Sequence, residues 1–256
     1  MSREGQGFLT VACNSDTTDY LSMAYRLAES ICDTQKVKAV SVITNVKDID
    51  PKYTKMFDKI IPIDVDGFWG ETRVWSASPY KQTFKIEADM IIPASIDHWW
   101  EICDQKDIVL TNKVYTYWHE VITNRSFRKT IDENNLPDIY SGIYYFRYSK
   151  ESREFFNLVN YVFTNWNYFR DTLLKNCRYQ NPVTDEVFAI AARIYGVERC
   201  TIDNTVPSFV HMKNTLQDIP NDDKWYNYVY YEASQQAIGH FKQTLPIHYR
   251  DKNFNG

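Results

Sequence analysis

The chain has no excess of basic residues, no CxxC pair, no long apolar run and no linker, and each absence removes a class of protein. Lys and Arg number 29 against 33 acids, a formal net charge of -4. That balance argues against purely electrostatic binding to a polyanion, although it leaves room for a local basic groove. The five cysteines, Cys13, Cys32, Cys103, Cys177 and Cys200, are odd in number and widely spaced. They fit reduced thiols better than a disulfide framework or a zinc site. Nowhere do apolar residues continue for the roughly 18 positions needed to span a bilayer. The opening MSREGQGFLTVAC has no run of signal-peptide length, so a soluble, cytoplasmic protein is expected. Repeats, low-complexity runs and Gly/Ser linkers are absent from the 256 residues. The expected organisation is one domain over 1–256 with a less regular C-terminal extension from 197 to 256.

Aromatic residues are plentiful: 19 are tyrosines, and Phe, Trp and Tyr make up 16% of the chain. They suit stacking on sugars or bases, and equally an ordinary aromatic core. Gly7 to Cys13 reads as a first strand, followed by helical spacing at Leu21, Ala24, Leu27, Ala28 and Ile31. Val37 to Thr44 and Phe57 to Pro62 read as further strands, so the first hundred residues alternate strand and helix as an open, mostly parallel sheet does. Ile108 to Thr111 and Ile143 to Tyr148 read as strands, and Glu151 to Trp166 and Asp185 to Tyr195 as helices. Such sheets bind ligands beyond the carboxyl ends of their strands.

The stretch Val74 to Pro93 drives core-type residues into two acids, Glu87 and Asp89, and then becomes apolar again. Residues two apart in a strand project to one side, so the pair can present two hard oxygen ligands to one divalent cation. It also reads as a strand end with two solvated carboxylates.

The order of pieces resembles the GT-A glycosyltransferases of the glycogenin and lipopolysaccharide-galactosyltransferase type. It comprises a first strand ending near Asn14, the strand end Glu87-Ala88-Asp89, and Pro137-Asp138 followed by Ser141-Gly142. Thr184-Asp185-Glu186 at a helix head and Phe209-Val210-His211-Met212-Lys213 complete it. The resemblance implies an α/β GT-A fold, an open mixed sheet flanked by helices. It also implies that Glu87 and Asp89 stand where the family has Asp-x-Asp, which holds Mn2+ or Mg2+ against the diphosphate of a nucleotide sugar. Glu at the first of these places keeps the charge and changes the reach. His211 would be a third metal ligand and Lys213 a diphosphate contact. His98, His119, His240 and His248 read as structural histidines, with Gly239 to Lys242 also a candidate lid. Ala12, Asn14, Asp16 and Tyr20 would cradle base and ribose of a UDP-sugar, Tyr20 alternatively facing the sheet, and Arg73 would reach the donor or lie solvated. Asp138 would accept from sugar hydroxyls, although the segment is one residue shorter than usual. Asp185 would bind a sugar or acceptor hydroxyl and Glu186 would stabilise an oxocarbenium-like centre; Thr184-Asp185 also reads as a plain helix cap.

The Asn14-to-Tyr20, Ser95-to-Trp100, Lys175-to-Arg178 and Phe209-to-Lys213 segments look like glycosyltransferases of tailed bacteriophages, whose T-even-like members include enzymes that modify 5-hydroxymethylcytosine in DNA. The resemblance implies a retaining transferase acting in the host cytoplasm. It would move arabinose or a hexose onto DNA, with Arg125, Arg128 and Lys129 as candidate phosphate contacts. The alternatives are a polysaccharide, lipid-linked glycan or protein acceptor, or a non-catalytic sugar-nucleotide or nucleic-acid binding module.

Overall fold

The computed structural model describes residues 3–64, 67–116, 119–122, 128–202, 205–211, 230–231 and 241–249. Strand β1 (Gln6–Val11) leads through a polar turn into helix α1 (Tyr20–Thr34), which starts where Asp19 accepts from the Ser22 amide. Leu21, Ala24, Leu27, Ala28 and Ile31 form the buried stripe of that helix. There follow β2 (Val40–Thr44), α2 (Pro51–Thr54), β3 (Lys59–Pro62), α3 (Gly67–Gly70), a 3-10 turn over Glu71–Arg73 and α4 (Val74–Ala77). Strand β4 (Gln82–Ile86) runs into β5 (Met90–Ile91), then α5 (His98–Cys103), β6 (Ile108–Thr111), β7 (Val114–Tyr115) and α6 (Lys129–Glu133). The chain continues through β8 (Tyr140–Arg147), α7 (Lys150–Thr164), α8 (Trp166–Leu173), α9 (Thr184–Tyr195) and α10 (Val197–Cys200). The last strands are β9 (Phe209–His211), β10 (Tyr230–Tyr231), β11 (Phe241–Lys242) and β12 (Ile247–His248).

The main sheet has the order β3-β2-β1-β4-β8-β6. Its first four strands are parallel, and β8 runs antiparallel between β4 and β6. Successive residues of a strand face opposite sides, so each strand feeds two cores. Phe8 and Tyr145 pack beneath α1 with Phe84, Trp99 and Trp100, while Leu9, Tyr144 and Phe146 pack against α7 and α9 with Phe155, Phe156 and Phe188. Helix α7 is started by a reciprocal Ser149/Ser152 capping box.

A smaller sheet, β5-β12-β9-β7, sits beyond the carboxyl end of β4. Its registers pair Met90 with His248 and His248 with His211. Strands far apart in sequence, β5 and β7 on one hand and β9 and β12 on the other, therefore meet where β4 stops. A separate ladder joins β10 to β11.

Two local expectations change. Val74 to Pro93 is not one strand, because Val74–Ala77 is helical and the strand begins only at Gln82. Val74, buried in the core on the α7 side, supplies the apolar signal without the extended backbone. Strand β8 begins at Tyr140 rather than Ile143, so Ser141 and Gly142 belong to it.

Candidate active site

Glu87, Ala88 and Asp89 form the turn between β4 and β5 rather than the end of a strand. The Glu87 amide donates to the Gly142 carbonyl at 2.9 Å, and the Tyr249 amide donates to the Asp89 carbonyl at 3.1 Å. These bonds fasten the turn to β8 on one side and to the end of β12 on the other. His248 Nε2 consequently lies 3.4 Å from Glu87 Oε2 and 3.3 Å from Asp89 Oδ2. One ligand atom from each of the three residues falls within 4.8 Å of the other two. Two carboxylates and an imidazole are a donor set that could hold a divalent metal ion. Burial pushes the Glu87 carboxyl up, with Asp89 beside it, against the lowering influence of His248 and Lys85.

His211 stands next to this group. Its Nδ1 is 3.1 Å from His248 Nδ1, the contact that the β9/β12 register dictates. Among the described residues, His248 and not His211 completes the cluster. Nothing around Pro246 to Tyr249 is a recognisable motif, and only its pairing with β5 reveals His248.

A cavity of about 200 Å³ opens beside the cluster, with Glu87, Asp185, Glu186, His211 and His248 in its wall and Tyr140, Tyr179 and Phe209 supplying apolar faces. Gly142 lines it too, and a Cβ there would come within 2.6 Å of Met90 Cε and 3.3 Å of Glu87 Oε2. Helix α9 brings Asp185 and Glu186 into its first turn, where the helix dipole favours acids. Neither Thr184 nor Asp185 caps the helix, since Val183 holds the cap position without a side-chain bond. Asp185 Oδ1 instead accepts from the Ser141 amide at 2.8 Å and the Ser141 hydroxyl at 2.7 Å, while Oδ2 takes Arg128 at 2.6 Å. Glu186 is 3% exposed, and its Oε2 meets no hydrogen-bond partner. Burial, with Asp185 alongside, pushes its carboxyl up to about 7.

Arg128 is the hub on the far side. It is 2% exposed, lies 3.2 Å from Asp138 Oδ1, donates to the Ile139 carbonyl at 2.6 Å and sits 3.7 Å from the centroid of the Tyr140 ring. This corrects its reading as a DNA phosphate contact, because its guanidinium is buried and both terminal nitrogens bond within the protein. Lys129 is exposed and paired with Glu133 at 3.3 Å. Asp138 reaches Asp185 only through Arg128 and faces a separate depression with Arg193 and Glu198.

The residues expected to hold the base and ribose do not line the cavity. Ala12 is fully buried in the core. Asn14 is used locally, its Oδ1 accepting from the Leu21 amide and its Nδ2 donating to Asp19. Asp16 is exposed in the turn, Tyr20 packs half-buried against the α1-side core, and Arg73 is exposed. Lys213, Arg125 and His240 lie outside the described residues.

The sequence matches no protein-family model and no curated protein sequence. The structure superposes on an active-site mutant of LgtC with a TM-score of 0.53 at 11% identity, covering 95% of this chain and 86% of that one. Apo mouse xyloside xylosyltransferase 1 gives a TM-score of 0.51 at 14% identity, with 96% and 98% covered. The fold is that of the GT-A glycosyltransferases. The glycosyltransferase GlyE of Streptococcus pneumoniae TIGR4 also aligns, at a TM-score of 0.49 and 7% identity, over 78% of this chain and 46% of its own. This chain thus spans less than half the length of GlyE. In GT-A terms the acid turn, the two histidines and the head of α9 gather at the carboxyl end of β4, the sheet edge where an open α/β sheet takes its ligand. Among the described residues, no helix is long and apolar enough to cross a membrane.

Proposed function

We propose that this protein is a metal-dependent glycosyltransferase that moves arabinose or a hexose from a UDP-sugar to an acceptor hydroxyl, with 5-hydroxymethylcytosine in phage DNA as the preferred acceptor. The observation that carries the reading is the convergence of Glu87, Asp89 and His248 beside a cavity walled by Asp185 and Glu186. Those three side chains would hold Mn2+ or Mg2+, with His211 supporting His248 from behind through the Nδ1 contact. A cation so held supplies Lewis-acid stabilisation of the charge that develops on a departing nucleoside diphosphate.

The protein's own groups have distinct tasks in this reading. Asp185, fixed by Ser141 and Arg128, orients a sugar or acceptor hydroxyl with the one lone pair of Oδ2 that its three bonds leave. Glu186, which lines the cavity and whose Oε2 accepts no hydrogen bond, is the carboxyl that would face an electron-poor anomeric carbon. Asp138 reinforces Asp185 through Arg128. Retention of configuration is the outcome the resemblance implies. The rings of Tyr140, Tyr179 and Phe209 offer stacking faces for a sugar or a base.

The burial of Arg128 removes one cation from the DNA-facing set, and this favours a second reading in which the acceptor is a glycan, lipid-linked glycan or protein. Incubation with Mn2+, a panel of UDP-sugars and hydroxymethylcytosine DNA, followed by nucleoside mass measurement, separates the two. A pentose or hexose mass gain supports DNA transfer; UDP release without a gain on DNA moves the acceptor to the second reading. An Asp89→Ala variant that keeps full transfer would refute the site.

A further inference from the structure

Lys85 is the least expected residue of β4. It lies between core residues Phe84 and Ile86 and is 0% exposed. Removing an ammonium from water costs several kcal/mol, and an apolar residue of similar volume usually serves a core at least as well. Its Nζ is 2.8 Å from Glu71 Oε1, 3.3 Å from the Ser141 carbonyl and 5.5 Å from the centroid of the Tyr144 ring.

The place it touches is special. The ladder between β6 and β8 is regular from Ile108/Phe146 to Leu110/Tyr144 and then jumps to Thr111/Tyr140. At this irregularity Ser141 has no register partner on β6. Its carbonyl takes the Lys85 ammonium, and its amide and hydroxyl both donate to Asp185 Oδ1. Buried backbone groups must be paired, and here side chains from two different elements do the pairing. Ser141 therefore mechanically couples the strand carrying the acid turn to the helix carrying Asp185 and Glu186.

We propose that Lys85, held by Glu71, is a positioning residue for the active site: by gripping the Ser141 carbonyl at the bulge it fixes the Ser141 donors that hold Asp185 beside the cavity. It touches neither donor nor acceptor in this account and acts through Ser141. The inference rests on the transferase reading above.

The test compares the wild type with a Lys85→Met, Glu71→Met double variant, which removes both charges together and leaves neither buried alone. UDP release from UDP-glucose and transfer are measured as kcat and KM, and Mn2+ affinity is measured by titration. The double variant is expected to fold, to bind Mn2+ within about threefold of the wild type and to keep its donor KM, while kcat falls at least about tenfold. A pair that serves only the core would leave kcat within about twofold, and that result overturns the proposal. Should the double methionine variant not fold, Lys85→Met with Glu71→Gln carries the same comparison. Amide exchange adds a readout independent of turnover, with the Ser141 amide losing protection in the variant and Phe84 keeping it. Unchanged protection at Ser141 also overturns the proposal. A wild type with neither Mn2+ binding nor turnover would instead sink the transferase reading, and the exchange result would still decide the role of Lys85.

Discussion

Replacing Glu186 by Gln should make the protein more stable at alkaline pH and not at acid pH. The folded carboxyl holds its proton up to about 7, against an ordinary value of 4.5, because it is buried and Asp185 is beside it. Between those two pH values the native state binds a proton that the unfolded chain has released, so wild-type stability falls as pH rises through this window. A difference of about 2.5 pH units at 1.36 kcal/mol each amounts to about 3 kcal/mol. Because Glu186 is only 3% exposed, solvent screening does little to reduce this. Gln is neutral throughout. The variant should match the wild type near pH 4.5 and exceed it by up to about 3 kcal/mol at pH 8, or roughly 6–12 °C in Tm for a chain of this size. Urea unfolding of both proteins at four pH values measures the gap directly, and subtraction removes every titration the two proteins share. A gap that is absent or constant across that range would refute the assignment of Glu186 as a buried acid that is costly when charged. If Glu186 also stabilises the reacting sugar, the more stable variant should be the poorer enzyme, losing about 100-fold in kcat.

Other outcomes follow from the same geometry. His211→Ala should weaken Mn2+ binding by about 10- to 100-fold, because His211 acts from behind, and His248→Ala should weaken it more; equal effects in a titration would place both in direct contact with the ion. Gly142→Ala should cost about 1–3 kcal/mol in urea unfolding and reduce Mn2+ affinity as well, since the added Cβ presses on Met90 and Glu87. Arg128→Ala should cost about 1–3 kcal/mol in urea unfolding by removing the cation shared by Asp138 and Asp185. The salt dependence of any DNA binding should be unchanged in that variant, and a reduced slope would return Arg128 to the DNA-facing set. Mn2+ at about 100 times its dissociation constant should raise unfolding free energy by about 2.7 kcal/mol, an increment that chelation reverses and that Asp89→Ala lacks.

Much of this architecture is legible in the sequence where periodicity is strong. The α1 stripe from Leu21 to Ile31 and the apolar runs of β2 and β6 read directly, because burial on one face or both leaves a regular pattern. The acid pair is legible as two carboxylates out of place in an apolar run. The partners of that pair are not. His248 enters the cluster through hydrogen bonding between β5 and β12, and a two-residue strand leaves no periodic trace. Arg128 reads as basic surface because its neighbours in sequence are polar, whereas Asp138, Asp185 and the Tyr140 ring fold around it from elsewhere. Asn14 reads as a ligand contact at a strand end, yet the amide of α1 nearest to it claims its side-chain oxygen. Lys85 breaks the apolar pattern of β4 as plainly as Glu87 does, and its meaning depends on a bulge in another strand.

The β5-β12-β9 ladder also sets an order of events. Asp89 leaves the ribosome long before His248. The main sheet, from Gln6 to Arg147, can pair while the imidazole donors are still unsynthesised. A nascent chain thus carries the acid turn without His248, and the proposed cation site would be complete only when β12 slots between β5 and β9. On the proposed reading, metal capture would be a late event in biosynthesis, timed by strand order.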